Sequence, residues 1–151
     1  MSELIRIGQI EIRFLCDKSQ TGGSVGMFEV GVGAGAKVPA AHYHRDYDET
    51  YYGLSGTLTF RIDGQDVDVG PGDHVFIRRG VVHSFHNRSQ APSKGLTVLS
   101  PDLIGPEYFR EIGALAAAGG PPDPVKVRET MLRYGLVPVP EGPKAPELSR
   151  L

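Results

Sequence analysis

His42-Tyr43-His44-Arg45-Asp46-Tyr47-Asp48-Glu49 is the stretch on which the reading of this chain turns. Two histidines stand one residue apart, and a glutamate follows five positions after the second. On an extended strand successive side chains alternate faces, so His42 and His44 point the same way. Two imidazoles on one face, with a carboxylate returning after a short loop, suit a borderline divalent metal. A third histidine, His83, lies in a second turn-rich stretch. Phe85 and Asn87 share its face by parity, while Ser84 and His86 face away. The expected metal ligands are His42, His44, Glu49 and His83. An isolated histidine is more often structural or exposed, and that is the reading for His74 and His86.

The surrounding sequence is punctuated for short strands. Ile10, Ile12 and Phe14 alternate within residues 8–16, and Phe28, Val30 and Val32 alternate within Val25 to Val32. Lys18 to Gly23 between them reads as a turn. Lys37 to His44 is a third extended run, with Pro39 at an edge or strand start. Glu49 to Leu54 and Thr57 to Ile62 are rich in Tyr, Thr and Phe, and Ser55-Gly56 between them reads as a two-residue hairpin turn. Asp63-Gly64 is the strongest hairpin signal in the chain, leading into a strand over Gln65 to Val69. Gly70-Pro71-Gly72-Asp73 is a tight turn. Val75 to Ile77, Val82 to Asn87 and Lys94 to Ser100 complete about nine short strands, the pattern of an all-β sandwich or barrel.

After Pro101 the pattern changes. Pro106 and Glu107 open a helix on which Tyr108, Phe109, Ile112, Leu115 and Ala116 recur at helical spacing. Gly119-Gly120-Pro121-Pro122 ends it, and Asp123-Pro124 caps a second helix that stops at Gly135. Residues 138–151 carry four prolines and read as extended and weakly ordered. The expected organisation is a barrel over 1–103, with helices and a proline-rich tail over 104–151 packed on its outer face; the alternative has Tyr108 and Phe109 capping the barrel mouth.

Composition narrows the function classes. Net charge is −2 and no Lys/Arg run occurs, which argues against nucleic acid or an anionic membrane as partner. No apolar run approaches membrane-spanning length, and the N-terminus does not read as a signal peptide. The single cysteine excludes an internal disulfide and fits a reducing, cytoplasmic setting.

The two histidine stretches resemble the paired motifs of the cupin superfamily, G-x5-H-x-H-x3-4-E-x6-G and G-x5-P-x-G-x2-H-x3-N. The first matches at His42, His44, Glu49 and Gly56, the second at Gly72, Gly80, His83 and Asn87. Gly35 stands one position early, with Ala36 in the expected place, and Arg78 replaces the motif proline. Within the superfamily the chain is similar to small, single-domain, quercetin-dioxygenase-like proteins. The resemblance implies a double-stranded β-helix (jelly-roll) barrel with a short helical extension. It also implies one divalent transition metal (Fe, Mn, Ni, Cu or Zn) on His42, His44, Glu49 and His83, with Glu49 also the catalytic proton acceptor.

Tyr51, Phe60, Phe76 and Phe85 are the expected walls of a substrate pocket for a small aromatic or enolisable compound; alternatively they fill the barrel. Arg45, Arg61, Arg78 and Arg79 could attract an acidic ligand, though a solvated role is their default. A metal-dependent dioxygenase is the first functional expectation. An isomerase, decarboxylase or lyase on the same scaffold is the second, and a small-molecule-binding or sensory module without turnover the third. A homodimer is also expected by resemblance, with the strand Val25 to Val32 as a possible edge.

Overall fold

The computed structural model describes residues 3–36 and 40–140. Eleven strands and three helices follow one another among them: β1 Leu4–Ile7, β2 Ile10–Cys16, α1 Lys18–Thr21, β3 Gly26–Val32, β4 His42–His44, β5 Asp48–Ser55, β6 Leu58–Ile62, β7 Gln65–Val69, β8 His74–Ile77, β9 His83–His86, β10 Ser93–Ser100, α2 Gly105–Ala117, α3 Pro124–Arg133 and β11 Leu136–Pro138. The strands form two antiparallel sheets, ordered β1-β2-β3-β10-β5-β8 and β11-β4-β9-β6-β7. From β4 to β10 the chain passes back and forth between the two sheets, which is the jelly-roll winding of an all-β barrel.

Alternation of burial shows which way each strand faces. In β3, Phe28, Val30 and Val32 are buried while Met27 and Glu29 are half-exposed. Register carries the inward face across the sheet: Leu99 pairs with Glu49 and Gly26, and Thr97 with Tyr51 and Phe28. Phe28 and its partner Phe14 therefore face the same side as Glu49 and Tyr51. The core joins these residues to Leu58, Phe60 and Val69 of the facing sheet.

Several local expectations hold. Ile62 pairs with Gln65 across Asp63-Gly64, whose φ values are 50° and 81°, the two left-handed residues of a tight hairpin. Asp123 accepts the Val125 N–H at the start of α3. Others are corrected. Ser55-Gly56 is no hairpin: β5 and β6 belong to different sheets, and Gly56 turns the corner where a Cβ would strike the Pro92 carbonyl. β3 is no edge, since β2 and β10 flank it on both sides. Lys18 to Thr21 is one helical turn with a capping box on Asp17, not an open turn. Pro39 and residues 141–151 lie outside the described residues.

The tail packs differently from expectation. Phe109 on α2 sits 5.2 Å from Phe28 and 5.9 Å from Phe14, ring centre to ring centre, so α2 covers the inward face of β1–β3 and not the outside of the barrel. The buried Asp102 carboxylate fixes its start by accepting the N–H groups of Ile104, Gly105 and Lys18. Beyond α3, β11 adds an edge strand beside β4, pairing Leu136 with His44 and Pro138 with His42. A proline is tolerated there because an edge strand has one side free of ladder bonds.

A candidate metal centre

His42 and His44 lie on β4 with both side chains inward, and His83 opens β9 directly opposite His42. Their burial differs little, at 7%, 5% and 3% exposed. One nitrogen from each ring falls within 4.8 Å of the others. Glu49, on the facing sheet, brings Oε2 to 3.2 Å from His83 Nε2. Its side chain is 16% exposed, which makes it the most open member of the group.

The outer nitrogens show how the rings are held. His83 Nδ1 lies 2.9 Å from the Val81 carbonyl and His42 Nδ1 3.1 Å from the Ala40 carbonyl. A carbonyl only accepts, so both Nδ1 atoms carry hydrogen, and each Nε2 is left to face inward. His42 Nε2 and His44 Nε2 stand 3.2 Å apart. Backbone carbonyls that orient an imidazole in this way are the usual outer support of a ligating histidine.

Charge follows burial. Desolvation lowers His42 to about 4 and His44 to about 3, so both rings are neutral near neutral pH. Glu49 is pushed upward by burial, but the hydrogen bond from His83 and the nearby imidazoles outweigh this and bring it down to about 2. Burial pulls His83 down, and its bond to Glu49 overcomes that, leaving it raised. Two neutral imidazoles, a third paired with an ionised carboxylate, and nitrogens crowded at hydrogen-bond distance form a donor set that a divalent transition ion satisfies. The residues present fit the metal that the motifs imply.

Turn chemistry supports the site despite the departures from the motifs. Asp48 accepts the Arg79 backbone N–H at 2.8 Å and its guanidinium at 3.2 Å. The Gly80 N–H reaches the His44 carbonyl at 2.8 Å, with Gly80 at φ 85°. These bonds hold the turn before His83 without the motif proline. Gly35 adopts φ 71°, so the glycine sits where the backbone needs it, while Ala36 is buried and its carbonyl accepts the Asn87 N–H. Asn87 donates to the carbonyls of Val32 and Ala91, a structural role.

Tyr51, Phe60 and Phe85 form one inward aromatic cluster, with ring centres 4.8 and 5.7 Å apart. Phe60 is fully enclosed by this packing. Phe76 is a correction: it is 57% exposed, because Val75 and Ile77 take the inward positions of β8. His74 is exposed and His86 pairs with Thr59, and neither joins the cluster. Arg45, Arg61 and Arg78 are exposed, and Arg79 is committed to Asp48. Sequence reasoning missed Tyr47, which is wholly buried and stacked on His44. Its only signal was its place inside the decisive stretch.

Comparison with known proteins agrees with this geometry. Residues 28–99 match the cupin domain family model. Over 72 residues the chain is 39% identical to quercetin 2,3-dioxygenase of Bacillus subtilis, covering 48% of this chain and 21% of that protein. Over 87 residues it is 30% identical to the tetracenomycin polyketide synthase protein TcmJ of Streptomyces glaucescens, covering 58% of this chain and 56% of that one. The chain thus spans between about a fifth and a little over half of these curated relatives. Among solved structures, a predicted oxalate decarboxylase from Thermotoga maritima superposes with a TM-score of 0.60 at 26% identity, over 67% of this chain and 92% of that one. The jelly roll, the inward histidines and the family match fall on one stretch of chain, so residues 28–99 form a cupin domain.

Proposed function

We propose that this protein is a metal-dependent enzyme of dioxygenase type, acting on a small aromatic or enolisable compound. The observation that carries the reading is the convergence of three imidazoles on one point, with Glu49 Oε2 at 3.2 Å from His83 Nε2. The 39% identity to a quercetin 2,3-dioxygenase over 72 residues supports the oxidative choice.

The chemistry supplied by a divalent transition ion there is Lewis-acid polarisation of a substrate oxygen, joined, for a redox-active ion, by electron exchange with dioxygen. The chain's own residues do the rest. His42, His44 and His83 are held rigid on two strands by backbone carbonyls and ring packing. Glu49 stays ionised and accepts the proton that an enol or phenol gives up on binding. Tyr51, Phe60 and Phe85 present apolar surface deeper in the barrel and keep water from the reacting atoms.

Likeness to a predicted oxalate decarboxylase supports a second reading, non-oxidative chemistry on the same ligands. One experiment separates them: oxygen uptake by the metal-loaded protein against a panel of flavonols and β-diketones, with matched anaerobic assays. Uptake coupled to substrate loss supports the dioxygenase reading. Anaerobic turnover without uptake replaces it with the second, and saturable binding with no product in either assay removes both in favour of a binding module.

A further inference from the structure

His44 differs from the other two histidines in how it is held. His42 and His83 each give Nδ1–H to a backbone carbonyl, whereas His44 Nδ1 is buried with no hydrogen-bond partner among the described residues. Its orientation comes from a flat ring instead. Tyr47 stacks on His44 with ring centres 4.5 Å apart and planes 22° apart. Tyr47 is wholly buried, and its hydroxyl donates to the Tyr134 carbonyl at 3.2 Å. Tyr134 ends α3, and β11 begins two residues later.

The same tail grips the ligand strand from its other side. Leu136 pairs with His44 and Pro138 with His42, while Arg45 donates to the Gly135 carbonyl and Val139 to the Ala41 carbonyl, each at 2.9 Å. Gly135, at φ 78°, lies directly beside the Tyr47 ring, within ordinary van der Waals reach of it. Residues 134–139 therefore border both the strand that carries two ligands and the ring that fixes one of them.

Resting on the metal reading above, we propose that Tyr47 is the positioning residue of His44 and that the tail strand β11, acting through Tyr47 and β4, sets how tightly the centre holds its ion. The physical reason is geometric. A hydrogen bond fixes a ring about one axis, but a stacked face fixes its tilt, and a ligand free to tilt loses rigid support.

The test titrates cobalt(II) into tag-free, metal-stripped protein and follows affinity and the visible absorption bands. Tyr47→Met keeps apolar bulk without a flat ring and should weaken binding about 10- to 100-fold with altered bands. Tyr47→Phe keeps the stack but loses the bond to the Tyr134 carbonyl, so it should bind more weakly than wild type by about threefold to tenfold and more tightly than Tyr47→Met, with unchanged bands. Phe28→Leu opens the core away from His44 and should lower stability while leaving affinity and bands intact. In the wild type, zinc binding should slow hydrogen exchange at the Arg45 and Val139 amides, because the coupling is reciprocal. That measurement needs no variant to fold. Wild type that takes up no cobalt(II) overturns the metal reading itself. Wild type that binds while Tyr47→Met binds equally well, or exchange at Arg45 and Val139 that zinc does not change, overturns the positioning role alone.

Discussion

His83 Nε2 stands 3.2 Å from Glu49 Oε2 while its Nδ1 lies 2.9 Å from the Val81 carbonyl. Both acceptors need a hydrogen from the ring, so without metal His83 favours the imidazolium form. Metal ligation requires the neutral ring. Binding should therefore release a proton from His83, and affinity should rise with pH through its raised pKa. Calorimetry in two buffers of different ionisation enthalpy measures this. Equal heats in both buffers, below neutral pH, would contradict it.

The ligand set itself predicts a contrast between two histidines close in sequence to the motifs. His44→Ala removes an inward nitrogen of the cluster and should reduce bound metal to a small fraction of wild type, with the far-ultraviolet circular dichroism of a folded barrel. His86 pairs with Thr59 outside the cluster, so His86→Ala should keep wild-type metal content. Elemental analysis of both variants, purified in parallel, reads the difference.

Burial of neutral histidines makes the metal-free protein acid-sensitive. His42 and His44 fall from 6.5 to about 4 and about 3 on folding. The unfolded chain then binds protons that the folded one refuses, so stability is present above 6.5 and is lost as pH falls from 6.5 toward 4. Each ring contributes on the order of a few kcal/mol over that range. Glu49 adds a loss of the same sign between 4.5 and about 2. His83 has the opposite sign: its contribution is full below 6.5 and fades as pH rises through its raised value. The net prediction is a Tm of metal-free protein that drops steadily below pH 6.5. A Tm flat from pH 7 to 4 would show that these rings titrate normally.

Asn87 and Phe76 should respond oppositely to truncation. Asn87 is buried and bonded to the Val32 and Ala91 carbonyls, so Asn87→Ala leaves acceptors unpaired and should cost about 1–3 kcal/mol. Phe76 is on the outer face, and Phe76→Ser should stay within about 0.5 kcal/mol of wild type. Urea denaturation of the two variants checks both values.

The fold class and the shared inward face of His42 and His44 were legible in the sequence, and the order of the strands was not, for a physical reason. His42 and His44 needed only the period of two along one strand, which is a local property. Asp63-Gly64 likewise announced its hairpin because two left-handed residues are rare except where a tight turn demands them. Which strands become neighbours is not local. Nothing in Val25 to Val32 indicates that β2 and β10 flank it, and nothing in Ser55-Gly56 indicates that the chain changes sheets there. Phe76 was misplaced because its strand offers two apolar neighbours, and Val75 and Ile77 took the interior.

Beyond α3, the short strand Leu136–Pro138 was not expected from the sequence. Leu136-Val137-Pro138 is too short to show a period, and its pairing with β4 is a long-range contact that three residues cannot announce. Phe109 kept its helical spacing as expected, but its partner face, the inward side of β1–β3, is a non-local pairing that spacing alone does not specify. Tyr47 belongs to no periodic run, and only its stack on His44, a contact three residues away in sequence, marks its role.

The central claim is that His42, His44, His83 and Glu49 hold one divalent transition ion. The most direct measurement is elemental analysis of tag-free protein, as purified and after dialysis against iron(II), manganese, nickel, copper or zinc followed by removal of loosely bound ion. The account predicts close to one equivalent per chain for at least one of these metals, lost in His44→Ala. Protein that retains none of them, or that retains the same amount when His44 is removed, would contradict it.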